Sequence, residues 1–187
     1  MLAIVCGLWS ACSAQSQAGH SPRAPQPTPP IQALPDTTVV HSAAKLPPIT
    51  ITVVATNDVH GHVTQLPLLG GYLHVLRALR KRDGGAVVLL DAGDIMQGTL
   101  ESNLVEGAVT IRAFNALGYA AAAVGNHEFD YGPTGAQAVP VKPTDDPLGA
   151  LRARAQEAQF ALLTANARNR DGTAFPVQEV KPSLMLE

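Results

Sequence analysis

The chain of 187 residues is 46% hydrophobic and 15% charged, which is the balance of a globular protein with a sizeable core. Its formal net charge is -2, and its 13 Lys and Arg residues are scattered along the chain. That distribution argues against a binding site for a nucleic acid polymer. Both cysteines, Cys6 and Cys12, lie near the N-terminus, so the rest of the chain has no thiol for a disulfide or a nucleophile. Any metal ion bound there must use oxygen and nitrogen ligands.

The N-terminal residues 1–19 have the composition of an export signal. A short apolar run, MLAIVCGLW, is followed by small residues, and the run is too short to span a bilayer. The tripeptide SAC at residues 10–12 resembles the end of a bacterial lipoprotein signal, although Trp9 stands where that pattern usually has Leu. We therefore expect a signal peptide or lipoprotein signal and a secreted or periplasmic protein, anchored to the outer membrane if Cys12 is lipidated. An apolar tail with no targeting role is the alternative.

Residues 20–48 contain eight prolines together with Ser, Thr, Gln and Ala. Such a segment cannot bury a core and predicts a Pro-rich linker. It would suit a protein tethered to a membrane, and an unstructured leader without a task is the alternative. The folded domain is then expected over residues 49–187.

Strand and helix patterns alternate through this domain. Runs rich in β-branched or apolar residues predict buried strands, and helical spacing of Leu73, Leu76 and Leu79 is typical of the helices between them. The predicted strands cover residues 49–56, 86–94, 119–124 and 160–166. The predicted helices cover residues 71–82, 106–117 and 148–159, with an exposed loop over 132–147. This alternation predicts an α/β sandwich in which the strands end at one shared edge.

Polar side chains stand at the end of each predicted strand or shortly after it. They are Asp58, His60, Asp94, Asn126, His127 and Asn166. Because ligands of open α/β sheets bind at the carboxyl ends of strands, we expect these side chains to converge. An Asp and a His two residues apart can direct two donors at one ion, and a second carboxylate can bridge to another.

The expected donor set is carboxylate, amide and imidazole. Such donors suit Zn, Mn, Mg or Fe, and two ions about 3.5–4 Å apart form the clamp used in phosphoester hydrolysis. Divalent metals lower the pKa of water toward about 7, so a metal-bound hydroxide can attack without a protein nucleophile. The sequence therefore predicts two divalent metal ions as cofactors.

Three motifs carry a resemblance to a known family. TNDVHGH (residues 56–62), GDIMQGT (93–99) and GNHEFDYG (125–132) resemble the motifs of the calcineurin-like metallophosphoesterase superfamily, and within it those of the bacterial 5'-nucleotidase family. Each motif follows a predicted strand, and the three stand in the family's order. The resemblance implies that residues 49–187 form the N-terminal part of a metallophosphoesterase catalytic domain, an α/β sandwich truncated at its C-terminus.

The resemblance also implies a set of metal ligands. Asp58 and His60 would bind the first metal, Asp94 would bridge both metals, and Asn126 would bind the second. Structural alternatives are that Asp58 and Asp94 act as helix N-caps and that Asn126 is a turn residue.

A second implied role concerns the substrate. In the family the histidine after the ligand Asn lies toward the substrate phosphate, which assigns His127 and Asp130 as a catalytic pair. A carboxylate beside an imidazole fixes its tautomer and favours its cationic form, which is useful next to a phosphate. Glu128 is expected to brace the loop instead, and His62 is either a hydrogen-bonding group near the site or an exposed loop residue.

The function implied is hydrolysis of nucleotide phosphate monoesters, with a small-molecule nucleotide as substrate. Phosphoprotein phosphatases of the superfamily carry an Arg shortly after the Asp that corresponds to Asp94. This chain has Gln97, Gly98 and Thr99 there and no Arg nearby, which favours nucleotides over phosphoproteins as substrates. The alternatives are a 2',3'-cyclic-nucleotide phosphodiesterase, a nucleotide-sugar pyrophosphatase, or a non-catalytic surface or binding protein that retains the fold. In the family the second metal needs two further histidines, and no His follows His127 here. We therefore expect the chain to be a fragment with low activity on its own.

Overall fold

A computed structural model describes residues 2–5 and 48–186. The predicted lipidation site Cys12 lies outside the described residues, as do the predicted export signal and linker apart from residues 2–5 and 48. In the described part of the chain, no helix combines the length and the apolar composition needed to cross a membrane.

The described residues form six strands and four α-helices. The strands are β1 (Leu2–Val5), β2 (Ile51–Thr56), β3 (Ala86–Asp91), β4 (Ala121–Ala123), β5 (Ala161–Leu163) and β6 (Ser183–Leu186). The helices are α1 (Leu66–Arg82), α2 (Leu100–Asn103), α3 (Ala108–Leu117) and α4 (Gly149–Glu157). Two short 3-10 turns cover Val63–Gln65 and His127–Phe129.

The central sheet has four parallel strands in the order β2-β3-β4-β5. Because all four strands run in one direction, their carboxyl ends lie along one edge, which confirms the α/β prediction. A separate two-stranded sheet pairs β1 antiparallel with β6. The predicted strand over residues 86–94 is too long, since β3 ends at Asp91 and leaves Asp94 in the following loop.

Two helical features differ from the predictions. Helix α1 begins at Leu66 instead of residue 71, because Pro67 suits the first turn of a helix, where its missing N–H is not needed. The short helix α2 was not predicted, and it begins where the Thr99 side chain accepts a hydrogen bond from the Ser102 amide.

One continuous apolar cluster joins the helices to the sheet. Leu73 of α1 and Phe114 of α3 are fully buried, and the Phe114 ring stacks on Tyr119 while also contacting Phe160. Each large apolar side chain buried in this way contributes roughly 1.5–3 kcal/mol relative to exposure. The cluster therefore fixes where each strand ends and where each following loop begins.

One face of β2 and one side of α1 carry exposed apolar side chains. Ile51 and Val53 are 51% and 56% exposed, and Leu68 and Tyr72 of α1 are 83% and 58% exposed. Strand β2 lies at one end of the four-stranded sheet.

Candidate metal centre

The loops after β2 and β3 continue the pairing of the two strands. The Asp58 amide donates to the Gly93 carbonyl and the His60 amide donates to the Asp94 carbonyl, each at 3.0 Å. Because of these bonds, the side chains of the first and second motifs lie beside each other at the sheet edge. His127 follows β4 and reaches the same place through its own loop.

Four of the predicted site residues come together. One ligand atom of each of His60, Asp94 and His127 lies within 4.8 Å of the others. Asp58 Oδ1 is 3.8 Å from His60 Nε2, and the two imidazole rings have centroids 4.9 Å apart. Carboxylate oxygens and imidazole nitrogens from three strand ends therefore share one small region.

The backbone at this region is strained. Asp58, His60 and Asp94 have φ values of 50°, 47° and 58°, in the left-handed region that disfavours residues with a Cβ. They are three of the four non-glycine residues with positive φ in the described part of the chain, and the other is Glu106. Such strain is of order 1–3 kcal/mol per residue and persists only where the surrounding structure enforces it. The donor set and this concentrated strain both fit a divalent metal site.

Glu128 enforces the loop that carries Asp94. The residue is 1% exposed, and its carboxylate accepts four backbone hydrogen bonds, from the amides of Gly125 at 2.6 Å, Asp94 at 3.0 Å, Ile95 at 2.7 Å and Met96 at 3.3 Å. Burial raises the pKa of Glu128, and the amides oppose that rise by stabilising the carboxylate. The prediction that Glu128 braces the loop is confirmed.

The Asp94 carboxylate itself is fixed by the third motif. Its Oδ1 accepts a hydrogen bond of 2.9 Å from the His127 amide. Gly125 permits this contact, because a Cβ at that position would overlap Asp94 Oδ1. This link between the second and third motifs was not predicted, since the spacing of the motifs does not show which backbone groups meet.

The predicted pair of His127 and Asp130 is in contact. His127 Nδ1 donates to Asp130 Oδ2 at 2.6 Å, and both side chains are partly exposed. This hydrogen bond is the main reason why the pKa of His127 is raised. The arrangement favours the protonated imidazole beside an anionic ligand.

His60 is oriented by a backbone carbonyl. Its Nδ1 lies 2.7 Å from the Gln97 carbonyl oxygen, which can only accept, so Nδ1 carries the hydrogen. The other ring nitrogen, Nε2, then carries the free lone pair, which is the arrangement usual at a metal-bound histidine. Sequence spacing did not predict this contact.

The two asparagines are less closely tied to the cluster. Asn126 is exposed at the start of the turn that contains His127, and Asn166 is exposed beyond β5, where it accepts a hydrogen bond from Thr164 at 3.4 Å. The structure thus brings Asp58, His60, Asp94 and His127 together. The metal-binding roles of the first three and of Asn126, and the catalytic roles of His127 and Asp130, stay predictions.

Comparisons with known sequences and known structures find similar proteins. No protein-family model matches the sequence. The protein UshA of Escherichia coli (strain K12) is 37% identical over 123 residues, which cover 62% of this chain and 20% of UshA. A 5'-nucleotidase of Vibrio vulnificus is 35% identical over 124 residues, with the same coverage. The structure of a 5'-nucleotidase precursor from Thermus thermophilus superposes with a TM-score of 0.51 and 28% identity, over 71% of this chain and 25% of that chain.

The chain is related to the N-terminal part of the bacterial 5'-nucleotidase family. It spans about a fifth of the length of the curated relatives it matches. Over the matched residues, this chain has the same fold as the T. thermophilus protein.

The chain has a buried carboxylate next to the candidate metal centre that sequence reasoning missed. Asp91, the last residue of β3, is 4% exposed, and burial raises its pKa to about 6. It accepts hydrogen bonds from Thr56 Oγ1 at 2.5 Å and from the Gly93 amide at 2.8 Å. A carboxylate within the apolar run AVVLLD was the available signal, since an acidic residue on a buried strand needs specific partners.

A cleft of about 680 Å³ opens beside Asp58, between the end of β2 and the first turns of α1. Its walls include His62 and the apolar side chains Leu68 and Tyr72. His62 is exposed on this cleft, so of its two predicted roles the exposed loop residue is the one observed.

Proposed function

We propose that this chain forms part of the divalent-metal centre of a hydrolase that cleaves nucleotide phosphate monoesters. The observation that carries the proposal is the convergence of Asp58, His60 and Asp94 at adjoining strand ends, each held in strained left-handed backbone. The relatives named 5'-nucleotidase support nucleotides as the substrate class.

The residues divide into two groups by what they would hold. Asp58 and His60 would bind one ion, Asp94 would lie between two ions, and Asn126 would bind the second. When bound, such ions supply Lewis acidity and lower the pKa of water. The chain's own task is to orient these donors, which the Gln97 carbonyl does for His60 and the His127 amide does for Asp94.

His127 and Asp130 would act on the substrate. The hydrogen bond to Asp130 holds the imidazole in one tautomer and favours its protonated form. A protonated His127 could stabilise the phosphate oxygens or give its Nε2 proton to the leaving oxygen.

The second ion is expected to bind weakly in this chain alone. No histidine follows His127 in the sequence, and the family resemblance calls for two more at the second ion. We therefore propose that the 187-residue chain binds one ion well and releases phosphate slowly.

A metal titration with a hydrolysis assay tests this proposal. The 187-residue chain is titrated with Mn²⁺ by calorimetry. Hydrolysis of 5'-AMP, a 2',3'-cyclic nucleotide and a nucleotide sugar is followed by chromatography of the nucleoside and nucleotide products, because only 5'-AMP releases phosphate directly. We expect one tightly bound ion per chain. Hydrolysis of 5'-AMP should be slow but faster than hydrolysis of the other two substrates. Asp94→Asn should weaken binding of the first ion at least tenfold. Even changes to residues that only hydrogen-bond to a metal ligand commonly cost about 10–100-fold in metal affinity.

The control is Asp171→Asn, which removes an equal charge from an exposed loop outside the cluster. It should bind Mn²⁺ like the wild type. Failure of the wild type to bind any divalent ion would refute the metal centre. Rapid turnover by the isolated chain would refute the incomplete second site, and preference for the cyclic nucleotide or the nucleotide sugar would change the substrate.

We also propose that the chain is exported and that its anchor depends on Cys12. The apolar run and the small residues of the first 19 positions support export. In a bacterial host, radiolabelled palmitate should enter the wild type and not Cys12→Ser. If neither protein is labelled and both are found in the periplasm, the export proposal stands and the lipid anchor at Cys12 is refuted.

A further inference from the structure

A chain of side-chain hydrogen bonds runs beneath the metal centre. Thr56 and Asp91 are opposite each other as the last paired residues of β2 and β3, and Thr56 Oγ1 donates to Asp91 Oδ2 at 2.5 Å. The Thr56 hydroxyl has one hydrogen, so the Tyr119 hydroxyl at 2.8 Å must donate to Thr56. The direction is therefore from Tyr119 to Thr56 to Asp91.

The other oxygen of Asp91 holds the turn that leads to the metal ligands. Asp91 Oδ1 accepts from the Gly93 amide at 2.8 Å, and the Gly93 carbonyl accepts from the Asp58 amide at 3.0 Å. Gly93 has a φ of 108°, and Asp94 follows it with a φ of 58°. Asp91 thus holds the N–H of Gly93, and the carbonyl of the same residue holds the Asp58 amide.

We propose that Asp91, Thr56 and Tyr119 form a positioning network that sets the geometry of the metal ligands Asp58 and Asp94. The proposal rests on the metal centre proposed above. None of the three residues is assigned as a ligand, and they act through Gly93 on the residues that are.

The cost of burying this carboxylate supports a positioning role. A buried carboxylate is unfavourable unless hydrogen bonds satisfy it, and Asp91 lies at the end of an otherwise apolar strand. An apolar side chain would pack there, but it would leave the Gly93 amide and the Thr56 hydroxyl without their acceptor. The carboxylate is the group that joins two strands and the ligand-bearing turn at once.

Cobalt binding to the full 187-residue chain tests the network. Co²⁺ is added to wild type, Thr56→Val, Tyr119→Phe, Asp91→Ala and Asp91→Asn, and its visible absorption reports both affinity and ligand geometry. Thr52→Val is the matched control, because Thr52 lies on the same face of β2, four residues earlier. Thermal unfolding of the metal-free proteins is measured in parallel.

We expect Thr56→Val and Asp91→Ala to weaken Co²⁺ binding about tenfold or more and to alter the absorption band. Tyr119→Phe should have a smaller effect in the same direction. Asp91→Asn should recover most of the affinity, because its amide oxygen can still accept from Gly93 and its NH₂ can donate to Thr56.

Two results would overturn the network. One is unchanged Co²⁺ affinity and spectrum in Thr56→Val, whatever its thermal stability, since this variant keeps the branched side-chain shape and replaces the hydroxyl with a methyl group. The other is an equal loss in Thr52→Val. If Asp91→Ala does not fold, Thr56→Val still decides. A wild type that binds no Co²⁺ would refute the metal centre as well, whereas a wild type that binds beside unaffected variants would refute the network alone.

Discussion

Asp91 is a carboxylate at the end of β3 whose burial raises its pKa from 3.8 to about 6. Between these two values the folded state keeps a proton that the unfolded state has lost. The contribution of Asp91 to the free energy of unfolding is therefore greatest below about pH 4 and falls as the pH rises toward 6. The fall is about 3 kcal/mol, since one pKa unit corresponds to about 1.4 kcal/mol.

Asp91→Asn cannot ionise and should remove this part of the pH dependence. We expect the free energy of unfolding of the variant, relative to wild type, to rise by a few kcal/mol between about pH 4 and pH 7. Urea unfolding of both proteins in a chelating buffer at several pH values measures it. Parallel curves for the two proteins would show that the Asp91 pKa is not raised.

The residues at the site differ in how far sequence could identify them. Asp58, His60 and Asp94 were predicted because a polar donor directly after a strand has a local signature. Asp91 was not, since its role depends on distant partners. Thr56 lies 35 residues from Asp91 along the chain, and Tyr119 lies 63 residues from Thr56.

At the scale of elements, the loops after β3 and β4 behave as one unit. Glu128 joins their amides, and the Tyr131 hydroxyl donates to the Met96 carbonyl at 3.0 Å. Ser102 of α2 donates to the same carbonyl and also lies 3.1 Å from the Thr110 hydroxyl of α3. The second and third motifs are thus supported by α2 and α3 as well as by each other.

Glu128→Gln should separate these loops. One of its two acceptor oxygens becomes an NH₂ that meets backbone amides, so buried donors lose their partner. We expect a loss of about 1–3 kcal/mol in the free energy of unfolding. Urea unfolding measures it against Glu101→Gln, an exposed residue in the first turn of α2 that should change little. Equal stability of the two variants would contradict the bracing role.

Two glycines should respond oppositely to alanine. Gly125→Ala would place a methyl group against Asp94 Oδ1, so we expect weaker Mn²⁺ binding and lower stability. Gly71 lies inside α1 with nothing within 4 Å of an added Cβ, so Gly71→Ala should stabilise by about 0.5–1 kcal/mol. Calorimetry and thermal unfolding measure both. Normal Mn²⁺ binding by Gly125→Ala would show that Asp94 is free to move.

Boundaries of the elements were predicted less well than their order. The sequence indicated the four parallel strands, because apolar runs and helical spacing are local patterns. It placed the start of α1 five residues late, at Gly71, whereas packing of Leu66 and Leu73 extends the helix back to Leu66.

At the scale of the whole molecule, an ion at the proposed centre would link metal binding to folding. The donors come from the loops after β2, β3 and β4, so an ion bound there would hold three parts of the sheet edge together. An ion that binds only the folded state stabilises it by mass action.

Mn²⁺ at a hundred times its dissociation constant should therefore raise the free energy of unfolding by about 2.7 kcal/mol. Thermal unfolding with and without Mn²⁺ measures the shift as several degrees in Tm, and at the same Mn²⁺ concentration the shift should fall by about half or more in Asp94→Asn. An equal shift in that variant would mean that Mn²⁺ binds elsewhere.

The sequence alone determined the α/β order, the three motifs and the oxygen and nitrogen donors at the strand ends. These are properties of residue type and short spacing. Only the tertiary structure decided that His60 is held by the Gln97 carbonyl, that Asp94 accepts from the His127 amide, and that Asp91 lies beneath both loops. Contacts of this kind depend on strand register and core packing, which bring together groups that are far apart along the chain.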